Sequence, residues 1–430
     1  MQFISIKEAM NKGSGKVAVR GWVYRERGSN VIKFIVLRDS SNIIQCVLEK
    51  NKFSENEWKN IDKISIESSL EIEGEIVKDE RAPTGYEIKV GKINIIQIAD
   101  KFPITKDNSS EFLLDVRHLA LRSRNLTAVM KIRSTVMKAF RDFYDKRSYY
   151  ELAPPILTPN ACEGGATLFE VKYYKDKVYL TQSWQLYAEA AIFALEKIFC
   201  ISPCFRAEKS RTSRHLSEFW MAEMEATWME LGELTKSAGE CVEYIVQEVV
   251  INNEEELKLL GQDVEKLKKI KMPFPKITYT EALKLLKEKE GVNIPWGKDL
   301  RTVEEDLITK HFDKPVIIIN YPKEIMAFYK PKDPKDTKTA LCFDMLAPGG
   351  YGEIIGGSQR DTNIEELKKA LKAQGEKIEN YEWYLDTRRY GSVPHSGYGL
   401  GVERIVSWIC KLDNIKDAIP FPRTMVRWKP

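Results

Sequence analysis

The stretch from residue 205 to residue 225, FRAEKSRTSRHLSEFWMAEME, constrains the fold of this chain more than any other. Two short apolar segments flank a loop that carries four cations, a histidine and almost no hydrophobic surface. Because side chains alternate across a pleat, the pattern predicts a strand, a basic loop and a returning strand. Such a hairpin would gather four side chains around one floor: Arg206, Glu208, Phe219 and Glu223.

The residue types on this floor suit a nucleoside triphosphate. Guanidinium groups such as those of Arg206 and Arg214 match the geometry of phosphate oxygens, and an aromatic face such as that of Phe219 suits a base. His215 lies in the same loop, next to Arg214. A solvated hairpin with ordinary surface charge would use the same residue types, so this stretch alone leaves both interpretations open.

Composition sets the class of protein around this hairpin. A chain of 430 residues with 43% apolar and 30% charged residues can form two or three domains. No apolar run approaches the roughly 20 residues of a membrane span, and the first residues lack a signal-peptide core, which predicts a cytoplasmic protein. The net charge of +4 is too small to identify a nucleic-acid binder. Nine Lys and Arg between residues 117 and 147 could follow a phosphate backbone or simply form a charged helix face.

The first hundred residues contain five runs rich in Val and Ile: 17–27, 31–39, 43–49, 69–78 and 86–99. Five short strands with turn residues between them predict a small closed barrel of the oligonucleotide-binding kind, with a short helix in the polar stretch 51–62. Such barrels stack bases on exposed aromatics and follow phosphates with cations. Phe34 fits the stacking role, with Arg25 nearby, and Gln45 could contact a base edge. Core packing of Phe34 is the alternative.

Three segments resemble the ordered motifs of the class II aminoacyl-tRNA synthetases, in the subgroup that handles aspartate, asparagine and lysine. The stretch FRAE, a basic loop and HLSEFW resembles motif 2, at about 203–228. An amphipathic helical pattern followed by RSYYELAPPILTP resembles motif 1, at about 131–158, which builds the dimer interface in this family. GLGVERIVSWI resembles motif 3, at about 397–410. The resemblance implies that Phe34 stacks on an anticodon base and that Gln45 bonds the middle uridine.

The resemblance also implies how ATP is held. Arg206 would bind the α-phosphate, and Glu208 and Phe219 would hold the edge and face of adenine. The outer phosphates would be bound by Arg214, His215 and Arg404.

The sequence LCFDMLAPGGYGEIIGGSQRD predicts a metal site beside the ATP. A hairpin loop at 347–350 would place Asp344 directly opposite Glu353, and opposed like charges in a sheet need a cation between or near them. Carboxylate oxygens completed by phosphates and water suit Mg²⁺. GEIIGGSQR further resembles the signature in which these acids bind magnesium on the ATP and the arginine, here Arg360, holds the substrate side chain.

The remaining expected amino-acid contacts lie in two segments. By resemblance, Glu163 in the glycine turn CEGGA meets the α-amino group of the substrate, while Gln182 and Gln185 hold its polar parts. Ser183 is a predicted N-cap for a helix that runs to about Lys197. Aspartyl enzymes have a lysine where this chain has Ala188.

Aspartyl enzymes also have an aspartate where this chain has Glu223. A cavity with that anion and without the lysine should prefer a neutral amide, because opposed like charges cost several kcal/mol in a desolvated site. The expected substrate is therefore L-asparagine.

The expected protein is an α+β chain with a barrel at 1–101, a linker at 102–127 and a catalytic domain at 128–430 built on an antiparallel sheet flanked by helices. Its expected reaction is asparagine activation by ATP with Mg²⁺, followed by transfer to tRNA(Asn), in a homodimer with no membrane partner. Three alternatives are an aspartyl enzyme of relaxed specificity, an asparagine synthetase paralogue and a non-catalytic RNA-binding module. Residues 229–310 are interpreted as packing, and the loop 328–338 has no predicted role.

Overall fold

The structure, a computed structural model, describes residues 1–162, 167–209 and 214–429. The chain divides into two compact units, Met1–Ser110 and Glu111–Pro430. The residues after 110 therefore belong to the second unit, whereas the predicted linker extended to 127. Arg117 shows why, because its buried guanidinium donates to the Asp417 carboxylate at 2.9 Å and to three backbone carbonyl groups near it.

The first unit is a five-stranded closed barrel, as predicted. Its elements are α1 Ile6–Lys12, β1 Gly15–Gly28, β2 Ile32–Arg38, β3 Ile43–Glu49, α2 Glu55–Asp62, β4 Ser69–Lys78 and β5 Tyr86–Gln97. The strands follow the order β1-β2-β3-β5-β4 around the barrel. Along β2, Ile35 and Leu37 point into the apolar core, and the residues that alternate with them, Phe34 and Val36, are partly exposed. The alternating sequence pattern thus produces strands with one face buried in the barrel core and the other partly exposed to solvent.

The second unit mixes helices and strands. Its elements up to the basic loop are α3 Ser110–Asp115, α4 Arg117–Ala120, α5 Arg124–Asp145, β6 Tyr150–Glu151, β7 Leu157–Thr158, β8 Glu170–Tyr173, β9 Asp176–Leu180, α6 Gln185–Leu195 and β10 Lys197–Phe205. After the loop come β11 Glu218–Thr227, α7 Leu231–Asn252, α8 Glu254–Leu259, α9 Val264–Lys268, β12 Lys276–Thr278, α10 Tyr279–Glu290, α11 Thr302–Thr309 and β13 Val316–Ile319. The remainder is β14 Lys332–Asp333, β15 Asp336–Ala340, β16 Cys342–Ala347, β17 Gly352–Gln359, α12 Ile364–Ala373, α13 Glu382–Arg389, β18 His395–Gly401 and α14 Val402–Cys410. Among the described residues, no helix combines the length and apolarity required to cross a bilayer.

An eight-stranded sheet organises this unit, in the order β12-β13-β16-β17-β18-β11-β10-β6. All pairs from β13 to β10 are antiparallel, as predicted for the catalytic domain. The two edge pairs, β12 with β13 and β6 with β10, are parallel, so the sheet as a whole is mixed.

The two faces of the sheet have different partners. On β10, Phe199 and Ile201 pack with α5, α7 and α14, whereas Ile198 and Cys200 pack with α6. On β11, Ala222 and Met224 join the same large cluster as Phe199. Because strand side chains alternate, Met221, Glu223 and Glu225 project from the opposite face. The helical layer thus leaves that face available for a site.

The hairpin between β16 and β17 corrects one prediction. The turn comprises residues 348–351, Ala347 pairs with Gly352 and Leu346 pairs with Glu353. An irregularity between Met345 and Leu346 then shifts the register, so that Asp344 lies opposite Gly356. The predicted pairing of Asp344 with Glu353 is wrong, because the turn starts one residue later than expected and the bulge adds a residue to β17.

Candidate active site

The predicted hairpin of β10 and β11 is present, with Phe205 paired to Glu218 next to the connecting loop. Because β10 ends at Phe205, Arg206 and Glu208 follow the strand and are not part of it, which differs from the predicted alternation. Beside them lies a cleft of about 640 Å³, here called the basic cleft. The cleft brings together all seven residues expected to bind ATP: Arg206, Glu208, Arg214, His215, Phe219, Glu353 and Arg404.

Charge and aromatic surface meet at the start of the basic cleft. The Arg206 guanidinium carbon lies 5.4 Å from the centre of the Phe219 ring. His215 Nε2 is 3.6 Å from the Glu208 carboxylate. Burial lowers the pKa of His215, and the neighbouring arginines add to this effect. The basic cleft therefore offers arginine charges for phosphates and an uncharged imidazole at neutral pH.

The far end of the basic cleft holds two arginines in hydrogen bonds. Arg214 Nη2 donates to the Asp306 carboxylate at 2.7 and 2.9 Å, and also to the backbone oxygen of Gly350. Arg404 Nη1 donates to the backbone oxygen of Glu353 at 2.9 Å. Both guanidinium groups are thus oriented toward the same cleft.

Asp306 lies on α11, within the segment that the sequence suggested was only packing, so that interpretation is wrong. The reason is tertiary, since α11 packs against β16 and β17 and brings its acids beside Arg214, which lines the basic cleft. Glu305 lies there too, and burial together with the charge of Glu353 raises the pKa of Glu305 to about 7. Consecutive acids in a short helix resemble a solvated helix start, which is why no sequence signal marked them.

A second space of about 1030 Å³, here called the acidic cavity, adjoins the basic cleft. Its wall includes six predicted site residues: Gln185, Arg206, Glu223, Asp344, Glu353 and Arg360. It also includes Glu225 and residues from segments without a predicted role, namely Asp299, Tyr329 and Lys330. Arg206, Met221, Glu353 and Gly399 line both spaces. The two spaces therefore meet at Arg206.

Glu223 is the anion at the floor of the acidic cavity. Its carboxylate accepts hydrogen bonds from the Ser183 hydroxyl at 2.5 Å and from the Trp184 backbone at 3.2 Å. Burial raises the pKa of Glu223 to about 7, although these two hydrogen bonds oppose the shift. The predicted N-cap is wrong, because Trp184 is the N-cap of α6, which ends at Leu195. The Ser183 hydroxyl accepts a hydrogen bond from the Gln185 backbone at 3.1 Å and donates to Glu223.

Arg360 also lines the acidic cavity. Its Nε and Nη2 donate to the Glu225 carboxylate at 2.9 and 2.8 Å, and its Nη1 donates to Ser358 at 2.9 Å. Gly397 makes room for this pair, since a Cβ there would lie 1.9 Å from the carboxylate of Glu225. The arginine is thus held rigidly by groups that are themselves buried.

The remaining predicted amino-acid contacts divide into three cases. Gln185 lines the acidic cavity, whereas Gln182 is tied to the Cys162 backbone and to Thr167. Ala188 does not line the cavity, which corrects its expected contact, because its fully buried side chain is on the face of α6 that packs on β10. Glu163 lies outside the described residues, as does Arg211 of the basic loop.

Asp344 and Glu353 lie together despite the different register. A Cβ at Gly356 would be 2.7 Å from Glu353 Oε1 and 3.5 Å from Asp344 Oδ1, so both carboxylates face the space beside this glycine. Burial, followed by the charge of Glu353, raises the pKa of Asp344 well above its ordinary value. Among the described residues, no group of three or more His, Cys, Asp or Glu is arranged to hold a metal ion. Two carboxylates, whose oxygens belong to the hard ligand class, thus meet at one place beside Gly356.

On the barrel, the predicted nucleic-acid contacts are found in different environments. Phe34 is partly exposed, and the Arg27 guanidinium lies 5.2 Å from the centre of its ring. Arg25 lies instead over the ring of Tyr24. Gln45 is buried and donates to Glu87 at 3.0 Å, a partner that sequence reasoning missed.

Comparison with known proteins identifies relatives of both units. The family described as tRNA synthetases class II (D, K and N) matches residues 109–425, and an OB-fold nucleic acid binding domain matches residues 17–96. An asparagine–tRNA ligase of Thermoplasma acidophilum is 48% identical over 99% of this chain and 100% of its own, and one of Thermococcus kodakarensis is 51% identical over 96% of each. The crystal structure of asparaginyl-tRNA synthetase from Pyrococcus horikoshii complexed with asparaginyl-adenylate matches with a TM-score of 0.96 and 46% identity, over 100% of both chains.

Proposed function

Because this chain belongs to the class II tRNA synthetases of the aspartate, lysine and asparagine group, we propose that it is an asparagine–tRNA ligase. It joins L-asparagine to ATP to give asparaginyl-adenylate and pyrophosphate, and then transfers the aminoacyl group to tRNA(Asn). The observation that carries this proposal is that the basic cleft and the acidic cavity meet at Arg206. With the amino acid in the acidic cavity and ATP in the basic cleft, the carboxylate of the amino acid would lie beside the α-phosphorus of ATP.

The reaction needs no protein nucleophile. The substrate carboxylate attacks the α-phosphorus of ATP, the bond to the β-phosphate oxygen breaks, and pyrophosphate leaves. In the second step, the terminal ribose hydroxyl of the tRNA attacks the aminoacyl carbon, and AMP leaves. Positioning and charge neutralisation provide the rate. Arg206 would hold the α-phosphate, and Arg214, His215 and Arg404 the outer phosphates, while Glu208 and Phe219 would hold the adenine.

The amino-acid side chain would lie between Glu223 and Arg360. The Glu223 carboxylate would accept a hydrogen bond from the amide nitrogen, and the Arg360 guanidinium would donate to the amide oxygen. An aspartate side chain would instead face Glu223 with a like charge in a desolvated site, which costs several kcal/mol. Glu163 as the partner of the α-amino group stays a prediction.

ATP–pyrophosphate exchange with asparagine, with aspartate and without amino acid tests this function. Exchange that depends on asparagine, followed by charging of tRNA(Asn), is the expected result. Equal exchange with aspartate would indicate an enzyme of relaxed specificity. Absence of any exchange would contradict the proposal.

Mg²⁺ is the metal that the two carboxylates Asp344 and Glu353 would hold, together with phosphate oxygens of ATP. The ion would neutralise phosphate charge when bound. Hard carboxylate oxygens beside a cleft lined by phosphate-binding arginines fit this ion.

Glu353→Gln tests the magnesium site. We expect the Mg²⁺ concentration at half-maximal exchange to rise roughly 10-fold or more, since even outer-shell partners of a metal contribute about 10- to 100-fold in affinity. A magnesium titration of pyrophosphate exchange measures this. Asp336→Asn, on the exposed part of β15, is the control and should leave the titration unchanged. An unchanged titration in Glu353→Gln would exclude this carboxylate as a ligand.

Phe34→Ala tests the barrel as the anticodon-binding unit. We expect the KM for tRNA(Asn) to rise roughly 10- to 100-fold, because stacking on an aromatic ring contributes about 1–3 kcal/mol per base. Pyrophosphate exchange should not change. Trp22→Ala is the matched control, since Trp22 is also exposed on the barrel and lies beneath Arg38. The same loss in both variants would argue against a specific stacking role for Phe34.

We further propose that the protein is a cytoplasmic homodimer. Support comes from the segment that resembles motif 1, where Tyr150, Ile156 and Leu157 expose 60%, 42% and 40% of their surface. Apolar side chains grouped in this way on a surface are typical of an interface. Sedimentation equilibrium would test the dimer, and a monomer at working concentration would contradict it.

A further inference from the structure

Behind the acidic cavity lies a buried carboxylate that the proposed reaction does not use. Glu189, on α6, is fully buried and does not line the cavity. Its carboxylate accepts hydrogen bonds from Gln185 at 2.8 Å and from the Tyr384 hydroxyl at 2.7 Å, and it also binds Arg388. His395 Nε2 lies 3.2 Å away. A carboxylate with this many partners is held in one position.

Glu189 also faces the arginine expected to bind the substrate. Its Oε1 lies 3.9 Å from Arg360 Nε, and Arg360 lines the cavity whereas Glu189 does not. Burial by itself would raise the pKa of Glu189, but Arg388, His395 and Arg360 lower it below its ordinary value. The carboxylate is therefore charged at neutral pH.

Buried charges of both signs surround Arg360, with His395 beside them. Arg360 and Arg388 are the two arginines, and Glu189 and Glu225 are the two carboxylates beside them, each no more than 6% exposed. Three of the five N–H groups of Arg360 are engaged by Glu225 and Ser358. Arg360 thus keeps N–H donors for a ligand, but its positive charge is already compensated.

We propose that Glu189 is a positioning residue that sets the preference for an amide side chain over a carboxylate, because with Glu225 it neutralises the charge of Arg360. This inference rests on the proposed function. A neutral amide oxygen can accept hydrogen bonds from a compensated guanidinium at little electrostatic cost. A substrate carboxylate would add a third negative charge beside the Arg360 guanidinium, which two buried carboxylates already face. Glu223 would repel that substrate carboxylate as well.

Glu189→Gln tests the proposal, because it removes one negative charge with little change in shape. The measured quantity is the ratio of kcat/KM for aspartate to kcat/KM for asparagine in pyrophosphate exchange, at pH 8 throughout so that histidine protonation is constant. We expect this ratio to rise roughly 10- to 100-fold, since Glu189 lies 3.9 Å from the guanidinium expected to bind the side chain, and unit charges interact strongly at the reduced dielectric of a protein. Glu196→Gln removes the same charge at the exposed end of α6 and should leave the ratio unchanged.

A double variant separates charge from structure. Glu189→Gln combined with Arg388→Gln removes one charge of each sign, so the ratio should return close to that of the wild type. If Glu189 only supports packing, Glu189→Gln would lower kcat/KM equally for asparagine and for aspartate. The ratio would then be unchanged, which would overturn the proposal. A double variant whose ratio stays as high as in Glu189→Gln would overturn it too.

Two further outcomes are distinguishable. If Glu189→Gln does not fold, Arg388→Gln alone tests the same account, because it leaves an extra anion behind the cavity. In Arg388→Gln, the ratio of kcat/KM for aspartate to kcat/KM for asparagine must then fall below that of the wild type. A rise or no change would overturn the proposal. A wild-type enzyme that fails to exchange with asparagine would instead contradict the proposed function, independently of Glu189.

Discussion

Replacing Arg206 by alanine should slow adenylate formation by about 10²- to 10³-fold, the usual cost of removing one preorganised donor from a developing charge. Arg206 lines both the basic cleft and the acidic cavity, so its guanidinium is placed where the substrate carboxylate and the α-phosphate would meet. Rapid-quench measurement of adenylate with saturating asparagine and ATP would determine the loss.

A matched control for Arg206 lies three residues further along the chain. Lys209 is exposed, and Lys209→Ala changes the net charge equally without touching either space. Lys209→Ala should retain nearly the wild-type rate, and both variants should bind tRNA as the wild type does. A loss of less than about 10-fold in Arg206→Ala would mean that Arg206 is not at the reacting phosphate, because one donor at a developing charge is worth more than that.

Glu223→Gln should reduce the asparagine-to-aspartate ratio of kcat/KM by about 10²-fold or more, because a site built to pair one polar group can reject its analogue by about 10⁴-fold. The glutamine removes the anion that repels the aspartate side chain, and its amide can donate to that carboxylate. Asparagine activation should fall at the same time. Glu218→Gln, on the same strand but outside both spaces, is the control.

The pH dependence gives an independent test of Glu223. Burial raises the pKa of this carboxyl group to about 7, so a substantial fraction is protonated just below neutrality. A protonated Glu223 carries no negative charge. It therefore cannot offer the asparagine amide an anionic acceptor, and it does not repel the aspartate carboxylate. We therefore expect kcat/KM for asparagine, which reports groups of the free enzyme, to fall as the pH drops through about 7, and the asparagine preference to fall with it. Glu223→Gln should lose this inflection, and a flat wild-type profile from pH 8 to pH 6 would contradict the assignment.

Local patterns in the sequence were enough to predict several elements. The five strands of the barrel and the hairpin of β10 and β11 follow from alternation and turn residues. The predicted residues of the basic cleft could be named because motif 2, motif 3 and the segment GEIIGGSQR carry them. Each of these features depends on residues that are close together in the chain, where the period of the side chains is visible.

Other features of the site could not be predicted in this way. The register of β16 and β17 depends on where the turn starts and on a bulge, and together they place Gly356 opposite Asp344 in place of the expected Glu353. Asp306 reaches Arg214 only because α11 packs on distant strands. Glu189 shows the same limit, since its arginine partners are more than 150 residues away in the chain.

By itself, the amino-acid sequence determined the barrel, the central hairpin and the kind of chemistry that this protein performs, because period-two alternation, turn residues and charged side chains act over short stretches of chain. Tertiary structure alone decided which charges face one another: the meeting of the two spaces at Arg206, the pairing of Arg360 with Glu225, and the burial of Glu189 behind them. The physical reason is that the strength of an electrostatic interaction depends on distance and on removal from water, and both are set only when distant segments pack together.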